Sequence, residues 1–155
     1  MESLPSINFE NANTWDPWIK KASEQYGVPF FLLKGLIATE SSFNEFSSAP
    51  TSSARGLVQL TIAAASDVNA DYTELFNPIY AIDKGAAYLA LVRKRLNTNS
   101  WDKAIRAYYA GVGNELKYAQ GLSINIESDG YLKKVHDYAL SFMLKQPLSF
   151  FTASA

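Results

Sequence analysis

The chain has 155 residues, a formal net charge of −1, 48% hydrophobic and 14% aromatic residues. That is enough for one domain with a substantial core, and it argues against disorder and against nucleic-acid binding through a basic face. With no cysteine and a single histidine, His136, the sequence also excludes disulfide frameworks, cysteine chemistry and histidine-rich metal sites.

Residues 1–13 read as a polar lead-in. Asp16-Pro17 is a helix start, a capping residue followed by proline at the first helical position. Trp15, Trp18, Ile19, Ala22 and Tyr26 share one face of that helix, and Gly27 stops it. Pro29 opens a second helix that runs to about Ser41 and holds the most apolar segment, Phe30 to Ala38. Phe43 to Ser53 is loop by composition. Gly56 to Leu60 fits either a short strand or an irregular turn. Thr61 can cap a short helix over Ala63 to Val68. Asn77-Pro78 starts a long helix marked by Ile79, Ile82, Ala86, Leu89, Val92 and Leu96. Ser100 precedes a helix with Trp101, Ala104, Ile105 and Tyr108 that ends at Gly111. Asn114 is expected to cap one more turn, through Gln120, and Gly121 to Ser128 to be irregular. A last amphipathic helix runs from about Asp129 to Pro147. Lys133-Lys134 within it reads as a solvated face, and His136 receives no role. The chain thus divides into a lead-in (1–13), a mostly α domain (14–147) and an apolar tail (148–155) that either docks on the body or leads to a partner.

No run reaches the roughly 18 apolar residues of a membrane span. The N-terminus lacks a basic start and an apolar h-region, so no export signal is expected.

Glu40 stands three residues after Ile37 and four after Leu36, so it continues the apolar stripe of the second helix. A carboxyl there is partly desolvated, its pKa is raised, and it can serve as a general acid. The same spacing also fits a glutamate that swings out at a fraying helix end.

Three separated pieces bear on that choice: Glu40-Ser41-Ser42-Phe43-Asn44, Gly56-Leu57-Val58-Gln59-Leu60-Thr61 and Ala107-Tyr108-Tyr109-Ala110-Gly111-Val112-Gly113-Asn114. Leu75-Phe76-Asn77-Pro78 and Gly85-Ala86-Ala87-Tyr88-Leu89 lie between the last two. In this order they resemble the soluble lytic transglycosylase family of lysozyme-like enzymes, over roughly residues 15 to 140. The resemblance implies a mostly α, lysozyme-like (goose-type) domain with a substrate cleft, and peptidoglycan glycan strands as its partner. It implies Glu40 as the single catalytic acid, and Ser41, Gln59, Tyr108, Tyr109 and Tyr131 as residues around the substrate. It implies no metal and no cofactor. The Tyr108 hydroxyl is expected to approach the carboxyl, and Tyr131 to open the last helix and reach the cleft. Without the resemblance, Tyr108 and Tyr109 read as core, and Gln59 equally as a residue that satisfies backbone groups.

Several positions depart from the family pattern. Glu45 replaces a proline, Val58 a methionine, Ile62 a frequent proline and Tyr109 an asparagine, so one polar contact becomes aromatic. The loop from Glu40 to Gly56 is one residue longer, and Ser47, Ser48, Thr51 and Ser52 all compete for the family's loop serine. Goose-type lysozymes often carry an aspartate where Thr61 stands. Glu45, Asp67, Asp71, Glu74 and Asp83 remain as other acids, none in a motif position.

The expected chemistry is cleavage of the β-1,4 bond between N-acetylmuramic acid and N-acetylglucosamine with a 1,6-anhydro product, Glu40 acting first as acid and then as base. The alternatives are a hydrolytic goose-type muramidase, and a lysozyme-fold protein that binds glycan or serves as a structural subunit without cutting. A monomer is expected, with the tail available for docking to a larger assembly. A phage lysin made in the bacterial cytoplasm is the expected setting, and a periplasmic bacterial enzyme without its signal is the alternative.

Overall fold

The computed structural model describes residues 2–121 and 126–152. In order, the elements are α1 (Asp16–Tyr26), α2 (Phe30–Ser41), α3 (Ile62–Asp67), a 3-10 turn (Tyr72–Glu74), α4 (Pro78–Arg95), α5 (Trp101–Ala110), α6 (Val112–Ala119), α7 (Ile126–Lys145) and α8 (Leu148–Thr152). The protein is mostly α. Gly56 to Leu60 takes the irregular-turn alternative, with isolated bridges from Arg55 to Ser48 and to Leu60.

The helix starts follow from side-chain chemistry. Thr61 accepts from the Ala64 N–H, Asn77 from Ile79 and Tyr80, and Ser100 from Lys103, each pairing donors that a helix leaves open. Gly27, at φ 68°, closes α1 in the left-handed region. Other boundaries differ from the sequence expectation. Asp16 lies inside the first turn of α1, and Trp15 takes the cap position without a capping bond. Asn114 does not cap α6. That helix begins at Val112, directly after Gly111, and the Asn114 amide donates back to the Ala110 carbonyl at 2.7 Å. Helix α7 begins at Ile126, earlier than Asp129, while residues 122–125 of the stretch expected to be irregular lie outside the described residues.

Helix α2 is the axis of the core. Every residue from Leu32 to Ala38 is buried, as expected of a helix apolar on all sides. It packs against α1 and α7, while α4 packs against α1 and α5, and α5 against α6 and α7. Gly35 permits the α2–α7 approach, since a Cβ there would lie 2.6 Å from the Val135 carbonyl oxygen. A charged side chain is buried beside these apolar residues of α2. Lys34 is fully buried, with Nζ 2.9 Å from Asn13 Oδ1, 2.9 Å from Asp16 Oδ1 and 4.7 Å from the Phe142 ring centroid. Those partners satisfy the ammonium and tie the lead-in to α2. Phe9 of the lead-in packs on Phe43 and Tyr138. At the other end of the chain, Phe150 and Phe151 of α8 pack against Phe31.

Candidate active site

Glu40 sits in the last turn of α2, just before the chain reverses through two left-handed residues, Ser42 (φ 51°) and Phe43 (φ 63°). The fully buried Phe43 ring anchors that reversal. Glu40 itself is half-buried. Burial pushes its carboxyl up to about 8, against the lowering influence of the Tyr131 hydroxyl and of the Lys134 charge. The swung-out alternative therefore does not describe this glutamate.

Three tyrosines surround it from α5 and α7. Tyr131 is buried, and its hydroxyl reaches toward the Glu40 carboxyl without meeting the geometry of a full hydrogen bond. Burial, and then the Glu40 charge, hold that phenol well above its usual range. The Tyr108 hydroxyl lies within the field of Glu40, but it donates to the Val58 carbonyl at 2.5 Å. Its proton is thus committed to the loop, and its lone pairs are what it can offer the acid. The Tyr108 ring meets Tyr88 edge-on at 5.4 Å. Tyr109 is 48% exposed, stacks on Tyr131 at 4.9 Å and 25°, and donates its hydroxyl to Glu127 Oε2 at 3.3 Å.

The turn from Gly56 to Leu60 joins this cluster through its Leu57 and Val58 carbonyls, which accept from Ser41 and Tyr108. Gln59 adopts a left-handed φ of 53°, and its Nε2 donates to the Ser47 and Gly56 carbonyls, both at 2.9 Å. Ser41 is buried, and its hydroxyl contacts the Ile37 and Leu57 carbonyls at 3.1 and 2.8 Å. Ser41 follows the acid in the chain and reaches the loop that carries Gln59; both residues direct their donors into the protein, which makes them braces of the loop. Val58 fits against Gly85, where a Cβ would approach Val58 Cγ1 to 2.5 Å. The Arg55 guanidinium lies over Tyr72 at 3.8 Å and Phe76 at 4.9 Å, fixing the outer side of the loop.

Other contributors carried no sequence motif. Lys134 lies three residues after Tyr131, so helical spacing alone would have placed both on one face. Glu127 reaches the site only through Tyr109. Arg106 makes a bidentate pair with the buried Glu115 and lies 3.9 Å from Asp129, holding α5, α6 and the first turn of α7 together. Thr61 is occupied by its capping bond to Ala64. Cavities of about 370 Å³, beside Trp18 and Tyr80, and about 320 Å³, beside Leu4 and Ser141, include none of the Glu40 cluster in their linings.

Residues 17–125 match the Transglycosylase SLT domain family. Similar curated proteins include the membrane-bound lytic murein transglycosylase C of Serratia proteamaculans, 32% identical over 132 residues and covering 76% of this chain. The membrane-bound lytic murein transglycosylase C of Histophilus somni is 38% identical over 121 residues, covering 68% of this chain. The chain spans only about a third of these relatives, 37% and 33% of their lengths. Among solved structures, the lytic transglycosylase Slt of Pseudomonas aeruginosa, in an inactive mutant form, superimposes with a TM-score of 0.75 at 22% identity. That match covers 88% of this chain and 25% of the larger one. The 70 kDa soluble lytic transglycosylase of Escherichia coli gives 0.74 at 19% identity, covering 89% and 25%. The two structures share the fold, and the matched domain covers most of the length: this chain belongs to the transglycosylase SLT domain family.

Proposed function

We propose that this chain is a peptidoglycan lytic transglycosylase that uses Glu40 as its one catalytic carboxyl. The observation that carries the reading is Glu40, half-buried beside Tyr131, with its carboxyl pushed up to about 8 by burial. Such a group is protonated at neutral pH and can act as a general acid without a second carboxylate on the sugar ring.

The sequence of steps balances with one residue. Glu40 gives its proton to the oxygen between muramic C1 and the next sugar, and the C1–O bond breaks. The substrate's own N-acetyl group stabilises the positive centre at C1. Glu40, now a carboxylate, takes the proton of the muramic 6-hydroxyl as O6 bonds to C1. The acid is regenerated, no water is consumed, and the attack gains the advantage of an intramolecular reaction. Tyr131 is placed to donate to the carboxylate in its charged stage. Tyr108, through Val58, holds the loop that Gln59 and Ser41 brace. Tyr109 presents an open ring face to the sugars.

The similar proteins support the glycan substrate through their names, as murein transglycosylases. They are bacterial and are called membrane-bound, so they lend no support to a phage lysin. A bacterial envelope enzyme is the setting we favour.

The test is mass spectrometry of purified peptidoglycan digested by this chain and by Glu40→Gln. Anhydro ends are expected from the first and none from the second. Ends heavier by one water would replace this reading with hydrolysis. Wall binding without release of soluble fragments would replace it with a glycan-binding role.

A further inference from the structure

Tyr109 is the one residue of the cluster that both breaks the family's motif and faces solvent. It covers something specific. Its ring lies nearly parallel to that of Tyr131 at 4.9 Å, and the ring beneath is left only 8% exposed. The covered Tyr131 carries a buried hydroxyl directed at Glu40. The Tyr109 hydroxyl is held by Glu127, from the first turn of α7, at 3.3 Å. The covering ring is therefore fixed at both ends, by the backbone of α5 and by a hydrogen bond to α7.

We propose that Tyr109 is a positioning residue: its ring caps Tyr131 and shields the Tyr131–Glu40 pair from water. Asparagine, which the motif carries here, has no ring to stack. Shielding of this kind favours the protonated form of the acid through desolvation, which charge alone would not do here. Among the described residues, the groups that interact with Glu40 are Tyr131 and Lys134 from α7, and Tyr108 and Tyr109 from α5. Of these only Lys134 is a basic residue, and its influence lowers the acid. Glu127 accepts from the Tyr109 hydroxyl. Burial outweighs the lysine, and the aromatic cover adds to that burial.

The proposal rests on Glu40 being the working acid, but its test does not need turnover. The Glu40 carboxyl can be titrated directly by carbon NMR in the intact chain, with Glu40→Gln identifying the resonance. Tyr109→Asn removes the cover, whereas Tyr109→Phe keeps the ring and loses only the Glu127 bond. The expected result is a midpoint lowered by about one unit in Tyr109→Asn and close to the parent's in Tyr109→Phe. In parallel, the ratio of kcat/KM at pH 8 to that at pH 5.5 should fall several-fold in Tyr109→Asn alone. An unchanged midpoint in folded Tyr109→Asn would overturn the proposal. So would an equal drop in Tyr109→Phe, which would assign the effect to the hydroxyl and Glu127. If the midpoints move as expected but no variant cuts peptidoglycan, the positioning role stands and the catalytic reading falls.

Discussion

At the scale of single residues, Glu40 opposes stability above acidic pH. An unfolded glutamate titrates near 4.5, and burial moves the folded one to about 8. Between those values the folded state holds a proton that the unfolded chain has released. The contribution of this group to stability is therefore full below about 4.5, falls as pH rises, and is lost by about 8. At about 1.4 kcal/mol per pKa unit, the loss at neutral pH is of the order of 3 kcal/mol. Glu40→Gln keeps the shape and removes the ionisation. It should unfold at higher denaturant than the parent at pH 8, and the two should converge near pH 4.5. Urea unfolding at both pH values checks this, and a parent as stable at pH 8 as at pH 4.5 would contradict the burial of the acid. A substitution that stabilises the fold while removing the proposed acid is what strain at a functional site predicts. Lys34 shows the opposite solution to buried charge: it is fully enclosed but paired with Asp16 and Asn13, so the core holds it without the penalty that Glu40 carries.

At the scale of elements, the site depends on how closely backbones approach. Gly85 of α4 lies against Val58, and a Cβ there would sit 2.5 to 2.9 Å from three Val58 side-chain carbons. Gly85→Ala should destabilise the protein by about 1–3 kcal/mol. The strain should pass into the loop that carries Gln59 and the Val58 carbonyl holding Tyr108. Val58→Ala gives some of that room back, so the double variant should be less damaged than the sum of the singles, which thermal unfolding of all four proteins measures. This contact also marks the limit of what the sequence discloses. Caps such as Thr61, Asn77 and Ser100 are local, and their hydroxyl and amide chemistry announces them. The position of Glu40 is announced by helical period and motif. The directions of Ser41 and Gln59 are not, because a polar side chain beside a motif can face substrate or backbone, and only the returning loop decides. The role of Asn114 is hidden from the sequence for a related reason: Gly111 allows α6 to start at Val112, and the amide bonds backwards to Ala110. The Arg106–Glu115 pair joins two helices and carries no spacing rule at all.

At the scale of the whole molecule, α2 links two ends of different character. Its C-terminal turn carries the acid, and its first turn meets the tail. Phe150 lies 6.1 Å from Phe30 and 5.4 Å from Phe31, and Phe151 lies 6.1 Å from Phe31. Both tail rings remain partly open, at 44% and 49% exposure, so each buries about half its surface. Removing residues 148–155 should therefore cost about 2 kcal/mol from lost apolar burial. The distance along α2 from Phe31 to Glu40 is about 14 Å at the helical rise per residue. None of the groups that shift Glu40 belongs to the tail. The truncated chain should thus melt at a lower temperature while its Glu40 titration midpoint stays where it was. A lowered midpoint in the truncated protein would mean that α2 passes strain along its length to the acid, and the tail would then be part of the site. An unchanged melting temperature would mean that α8 contributes no net packing energy on this body.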